Sequence, residues 1–211
     1  MLGTTSVVAT QASGAGVSKC DRFAADSVSR AGQVTGAGER VVVIGDSWSA
    51  GLGLARPALS WPSRLDGRVH VAGFSGSGFS AMASPCGRTV SFADRAAAVV
   101  DGADVVVVEG GLNDWDHSDS EIRAGFGRLM RTLRAAGVPR VVVVGPASAP
   151  SRAAKVPHVD ALLADLSRQY AVGYVSTADL DLSYLGDDLH LTSAGHRDFG
   201  DAVARRISAL G

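Results

Sequence analysis

Four short polar clusters hold the side chains that could carry out covalent chemistry. They are Gly45-Asp46-Ser47, Gly73-Phe74-Ser75-Gly76-Ser77-Gly78, Gly110-Gly111-Leu112-Asn113-Asp114 and Asp187-Asp188-Leu189-His190. A serine hydroxyl is a poor nucleophile until a base removes its proton. Ser47 follows an apolar run, where a strand turning into a helix would expose its oxygen and aim backbone N–H groups at whatever it attacks. A base needs a neutral imidazole whose partner fixes the tautomer and stabilises the protonated ring. Asp187, three residues before His190, can fold back onto that ring. The Asn113 amide can donate to a developing oxyanion, a contact worth about 3–4 kcal/mol in a serine hydrolase.

Each cluster alone also has a plainer reading. Asp46 or Ser47 could cap a helix, the glycines could form a tight turn, and Asn113-Asp114 could be a loop turn. Gly76-Ser77-Gly78-Phe79-Ser80-Ala81 fits a loose dinucleotide fingerprint, but it follows the second strand and lacks the acidic residue about twenty positions on. Asp114, Asp116 and His117 invite a metal, yet no complementary ligand set accompanies them. His196 falls within a helical stretch, where a surface or packing role is expected. Order and placement, rather than any single cluster, carry the argument.

The elements that must position these groups alternate along the chain. Strands are expected at Val41 to Gly45, Arg68 to Ala72, Asp104 to Glu109, Arg140 to Val144 and Val172 to Val175. Their β-branched runs are continuous, as in strands buried on both faces. Helices are expected at Asp21 to Arg30, Phe92 to Val100, Ser118 to Ala136, Val159 to Tyr170, and from after Thr192 to about Leu210. Ser118-x-x-Glu121 matches a capping box, and Ile122, Phe126, Leu129, Met130 and Leu133 follow helical spacing. Alternation of this kind implies a parallel sheet covered on both faces, a three-layer αβα sandwich. Ligands in such sheets bind beyond the carboxyl ends of the strands, where the clusters fall.

In this order, the clusters resemble the sequence blocks of the SGNH (GDSL-type) hydrolases, over about residues 41 to 195. The resemblance implies a flavodoxin-like SGNH hydrolase fold with Ser47 as nucleophile and Asp187 and His190 completing a triad. It places the oxyanion hole on the N–H of Ser47, Gly76 and Asn113, and requires no cofactor. Two departures stand out: Trp48 replaces the leucine common after the serine, and Ala72 or Gly73 stands where an asparagine often precedes the glycine turn. Trp48 and Trp115 are candidates to line an acyl or aryl pocket, with buried packing the alternative for at least one. The implied activity is hydrolysis of carboxylic esters, and the compact length favours small or short-chain ones. A carbohydrate O-deacetylase or acetyltransferase would use the same triad. A catalytically silent binding module would be expected to break the constellation, and a nucleotide-binding flavodoxin-like protein would need a phosphate loop.

Composition narrows the remaining classes. The 211 residues are 46% hydrophobic and 19% charged, with a net charge of −1. They fit one α/β domain over 39–211 behind an N-terminal arm over 1–38, whose first 18 residues read as peripheral. No basic block suits nucleic acid, and no apolar run approaches a membrane span. The expected partner is a small-molecule or glycan ester, and the expected state a monomer. Cys20 and Cys86 suit a disulfide tying the arm to the body, which implies secretion or the cell envelope. Two free thiols in a cytoplasmic protein are the alternative. No intact signal peptide is visible in the first 18 residues.

Overall fold

Valine-rich segments form the centre of a five-stranded parallel sheet in the order β2-β1-β3-β4-β5. The computed structural model describes residues 18–210, so the expectation about the first 18 residues lies almost wholly outside it. The strands are β1 (Arg40–Gly45), β2 (Arg68–Gly73), β3 (Val105–Glu109), β4 (Arg140–Val144) and β5 (Gly173–Val175). The helices are α1 (Lys19–Ala31), α2 (Ser47–Ala50), α3 (Phe92–Ala96), α4 (Asp119–Ala135), α5 (Val156–Tyr170) and α6 (Ser193–Ser208).

Side chains alternate between the faces of a strand, and here both faces are buried. Val42, Ile44, Val106 and Val108 point into a core with Phe92 of α3, Phe126 and Leu129 of α4, and Leu163 of α5. Val41, Val43, Val105 and Val107 pack on the other face with Trp48, Trp61, and Phe199 and Val203 of α6. That double burial explains why the strands read as continuous apolar runs.

Several boundaries differ from expectation for local reasons. The helix expected over Phe92 to Val100 stops at Ala96. The amides of Ala98 and Val99 turn back to Arg95 and Ala96, tightening the chain towards the Asp101-Gly102 turn. Helix α5 begins three residues early because Pro157 sits in its first turn, where its missing N–H costs nothing. Helix α1 is longer at both ends than Asp21 to Arg30, since Ser18 and Asp21 form a capping box. Edge strand β5 is one residue shorter than expected.

Cys20 and Cys86 are bonded, fastening the first turn of α1 to the loop after β2. The bond closes a sequence separation of 66 residues, and chain-entropy arguments assign such a loop about 4 kcal/mol of stabilisation. Replacing both cysteines by serine is expected to lower unfolding stability by up to that amount in a denaturant titration. A loss below about 0.5 kcal/mol would show that α1 is held by packing alone.

Candidate active site

The order 2-1-3-4-5 reverses direction between β1 and β3, and such a switch point opens a crevice beyond the strand ends. Gly45-Asp46-Ser47 leaves β1 there, and Gly110 to Asp114 leaves β3. Asp46 caps α2 by accepting from the Trp48 N–H at 2.8 Å, so the helix-capping reading of this cluster is realised beside the chemical one. Gly45 is required by close approach: a Cβ there would lie 2.0 Å from Ser49 Oγ, blocking the turn that presents Ser47.

The Asp187–His190 segment sits on a turn closed by the Tyr184–Leu191 bridge, with the Leu185 N–H donating to the His190 carbonyl at 2.7 Å. Asp187 Oδ1 accepts the amides of Leu189 and His190 at 3.1 and 2.9 Å. Its Oδ2 lies 2.5 Å from His190 Nδ1. Burial would raise the Asp187 pKa, but the bonds from the His190 ring and the two amides prevail and hold it at about 2. An ionised carboxylate can only accept, so the imidazole proton resides on Nδ1. Nε2 is left to accept from the Ser47 hydroxyl, 3.1 Å away.

Asn113 enters from the turn after β3. Its amide donates to Asp46 Oδ2 and to the Ser77 carbonyl, each at 2.9 Å. Gly76 adopts φ 83°, a left-handed conformation that glycine reaches without strain. The Gly76 turn and the Asn113 turn are bound together by Asp114, whose oxygens accept the Phe79 and Ser80 amides at 3.0 and 2.7 Å. Burial pushes the Asp114 carboxyl up to about 6 despite those bonds. That commitment explains why the sequence candidates Asp114, Asp116 and His117 do not converge as ligands. Among the described residues, no His/Cys/Asp/Glu group has a metal-holding arrangement. The stretch from Gly76 to Ala81 opens no helix, so the dinucleotide reading loses the helix N-terminus on which it depends.

Ser47, Gly76, Asn113, Trp115, Leu189 and His190 line one cleft of about 800 Å³. Trp48 does not line it. Its ring is buried edge-on against Phe199, with centroids 5.1 Å apart, and its indole N–H donates to the Leu189 carbonyl at 3.1 Å. The expectation of a substrate contact at Trp48 is therefore corrected: the side chain braces the turn that carries His190. His196 is buried too, with Nδ1 accepting from the Trp61 N–H at 3.3 Å. Burial, and then the nearby His190, lower its pKa to about 4, so it packs as a neutral ring.

Sequence reasoning missed the support beneath Ser47. Arg95 donates to the carbonyl of Gly45 and to Ser77 Oγ, both at 3.0 Å, holding the end of β1. Glu109, at the end of β3, accepts from Ser49 Oγ at 2.7 Å. Burial pushes its carboxyl up to about 7. Burial, and then the neighbouring Glu109, likewise drive Asp46 well above the usual carboxylate range. One signal was legible: an acid closing a run of four buried valines must be paired or neutral.

The fold and the cleft define the class as an ester hydrolase built on an αβα sheet. A profile of the GDSL-like lipase/acylhydrolase family matches residues 43–197, and the chain belongs to that family. It is accordingly a carboxylic ester hydrolase. Among solved structures, it resembles Est24, a carbohydrate acetylesterase from Sinorhizobium meliloti, at TM-score 0.67 and 21% identity, over 82% of this chain and 100% of that one. An inhibitor-bound aryl esterase of M. smegmatis is similar at TM-score 0.68 and 19% identity, with the same coverage. A putative arylesterase from Agrobacterium tumefaciens reaches 0.66 at 19% identity, again over 82% and 100%. No curated protein matches the sequence.

Proposed function

We propose that this chain hydrolyses small or short-chain carboxylic esters through an acyl-enzyme on Ser47. The observation that carries the reading is the pair of contacts in series, Ser47 Oγ to His190 Nε2 at 3.1 Å and His190 Nδ1 to Asp187 Oδ2 at 2.5 Å. Ser47 Oγ attacks the ester carbonyl as His190 Nε2 takes its proton, and Asp187 stabilises the imidazolium. The carbonyl oxygen, now an oxyanion, is held by the N–H groups of Ser47 and Gly76. Asn113 joins them by sharing the proton it otherwise donates to the Ser77 carbonyl, while its other proton stays on Asp46. His190 then gives its proton to the leaving alcohol, and water repeats the sequence on the acyl-enzyme. No step calls on a cofactor. Trp115, on the cleft wall, contacts the organic part of the substrate.

The Cys20–Cys86 bond supports an oxidising compartment, secreted or within the cell envelope. Among the described residues, no helix is long and apolar enough to cross a membrane. A carbohydrate O-deacetylase is the second reading, favoured by the likeness to a carbohydrate acetylesterase.

Nitrophenyl esters from acetyl to palmitoyl test the proposal. Release is expected to peak at the short acyl chains. A palmitoyl optimum would overturn the small-ester reading, and acetate release from acetylated sugars alone would select the deacetylase.

A further inference from the structure

The cleft has a wall outside the family-matched residues. Helix α1 lies upstream of residue 43, and Cys20–Cys86 clips its first turn beside the loop that follows Gly76. Phe23 packs edge-on against Phe74 with centroids 6.4 Å apart, seating the helix at the site. Lys19, Arg22 and Phe23 thereby line the same cleft as Ser47 and His190. The acid in this turn, Asp21, is occupied by the hydroxyl and amide of its own cap, Ser18.

A third cation comes from the loop after β4. The Ser151 N–H and hydroxyl both donate to the Asp188 carbonyl, at 3.0 and 2.9 Å, tying the segment to the turn that carries His190. The next residue, Arg152, stacks its guanidinium over the Trp115 ring at 4.3 Å. Its Nε is buried and has no acceptor among the described residues. Asp116 is the one carboxylate among the described residues lining the cleft, where Lys19 and Arg152 also stand. The chain as a whole carries −1, so these cations are gathered at the cleft rather than drawn from a general excess.

Resting on the Ser47 acyl-enzyme reading, we propose that this cleft selects esters whose alcohol portion bears an anionic group: a carboxylate, sulfate or phosphate. The side follows from the chemistry. His190 Nε2 must protonate the departing oxygen, so the alcohol leaves past the imidazole, and Arg152 stands on the segment bonded to that turn. Arg152 contacts the anion, and Lys19 adds to the attractive field from α1. A guanidinium stacked on an aromatic ring is held in place before substrate arrives, which limits the ordering cost of the contact.

The test compares 4-acetoxybenzoate with its methyl ester, which share the acetyl group and differ by one charge on the alcohol. Relative to wild type, Arg152→Gln is expected to lower kcat/KM for the carboxylate probe about tenfold more than for the methyl ester. Arg152→Lys restores most of the difference, and Lys19→Gln gives a smaller loss of the same sign. Raising salt towards 1 M, where the screening length falls to about 3 Å, closes the gap for wild type without any variant. Equal losses on both probes, or a preference that salt leaves untouched, would overturn the proposal. A wild type that favours the charge on the acyl side, as in mono-nitrophenyl succinate over nitrophenyl butyrate, would overturn the assignment to the alcohol. Hydrolysis of neither acetate ester would instead bring down the small-ester reading on which the inference rests.

Discussion

Ser47→Ala is expected to reduce kcat for nitrophenyl acetate by about 10⁴- to 10⁶-fold while leaving the fold intact. The variant removes one oxygen, which hydrogen-bonds to His190 Nε2. Alanine suits a helical first turn, and the Ser47 backbone N–H remains available to an oxyanion. Residual activity should come from binding and the oxyanion donors alone, which is why the loss is large but finite. Circular dichroism and the thermal midpoint, measured beside the kinetics, separate lost chemistry from lost structure. A folded variant retaining a tenth of wild-type kcat would remove Ser47 from the nucleophile's role.

Asp187→Asn should be nearly as damaging, with kcat falling by about 10³- to 10⁴-fold and little change in KM. The substitution keeps shape and changes hydrogen-bond polarity. Asparagine can present N–H groups to Nδ1, which favours the tautomer with its proton on Nε2, and that nitrogen can no longer accept from Ser47. The lower end of the range reflects exposure, since half of the Asp187 side chain is open to water, which can solvate the ring in its place. The same carboxylate shapes the pH profile. With its pKa held at about 2, Asp187 stays ionised through the ordinary carboxylate range near 4, so the acid partner of the imidazole is not lost until the pH nears 2. In linkage terms, a depressed carboxylate stabilises the fold above the ordinary value near 4 and loses that contribution as pH falls through about 2. An Asp187→Asn enzyme within tenfold of wild type at neutral pH would place the imidazole's partner elsewhere.

Much of the architecture was legible because its signals are local. The strands announce themselves as β-branched runs, since a sheet buried on both faces cannot afford polar positions. Helix α4 was legible from the Ser118-x-x-Glu121 cap and the helical spacing of its apolar positions. Helices bounded by weaker punctuation were not. The Phe92 segment ends early because the chain must turn into β3, and the cap at Ser18 escaped notice beside a glycine-rich stretch. At the cleft, the ordered clusters singled out Ser47, Gly76, Asn113, Asp187 and His190, and folding brings four of them to one cleft, with Asp187 against His190 Nδ1. Their catalytic roles remain the proposal that the variants above address.

The sequence by itself determined the alternation of elements, the family and the short motifs, because each is written in residue types at fixed spacing. Only the tertiary structure decided what lies between those motifs. It buried Trp48 under the His190 turn and placed Arg95 and Glu109 beneath Ser47. It also carried Lys19 and Arg152, 133 positions apart in the chain, to the rim of one cleft. Such contacts depend on which helix packs on which face, which no local pattern of residues records; the Cys20–Cys86 pair could be read from the sequence, but not which side chains it would bring to the cleft.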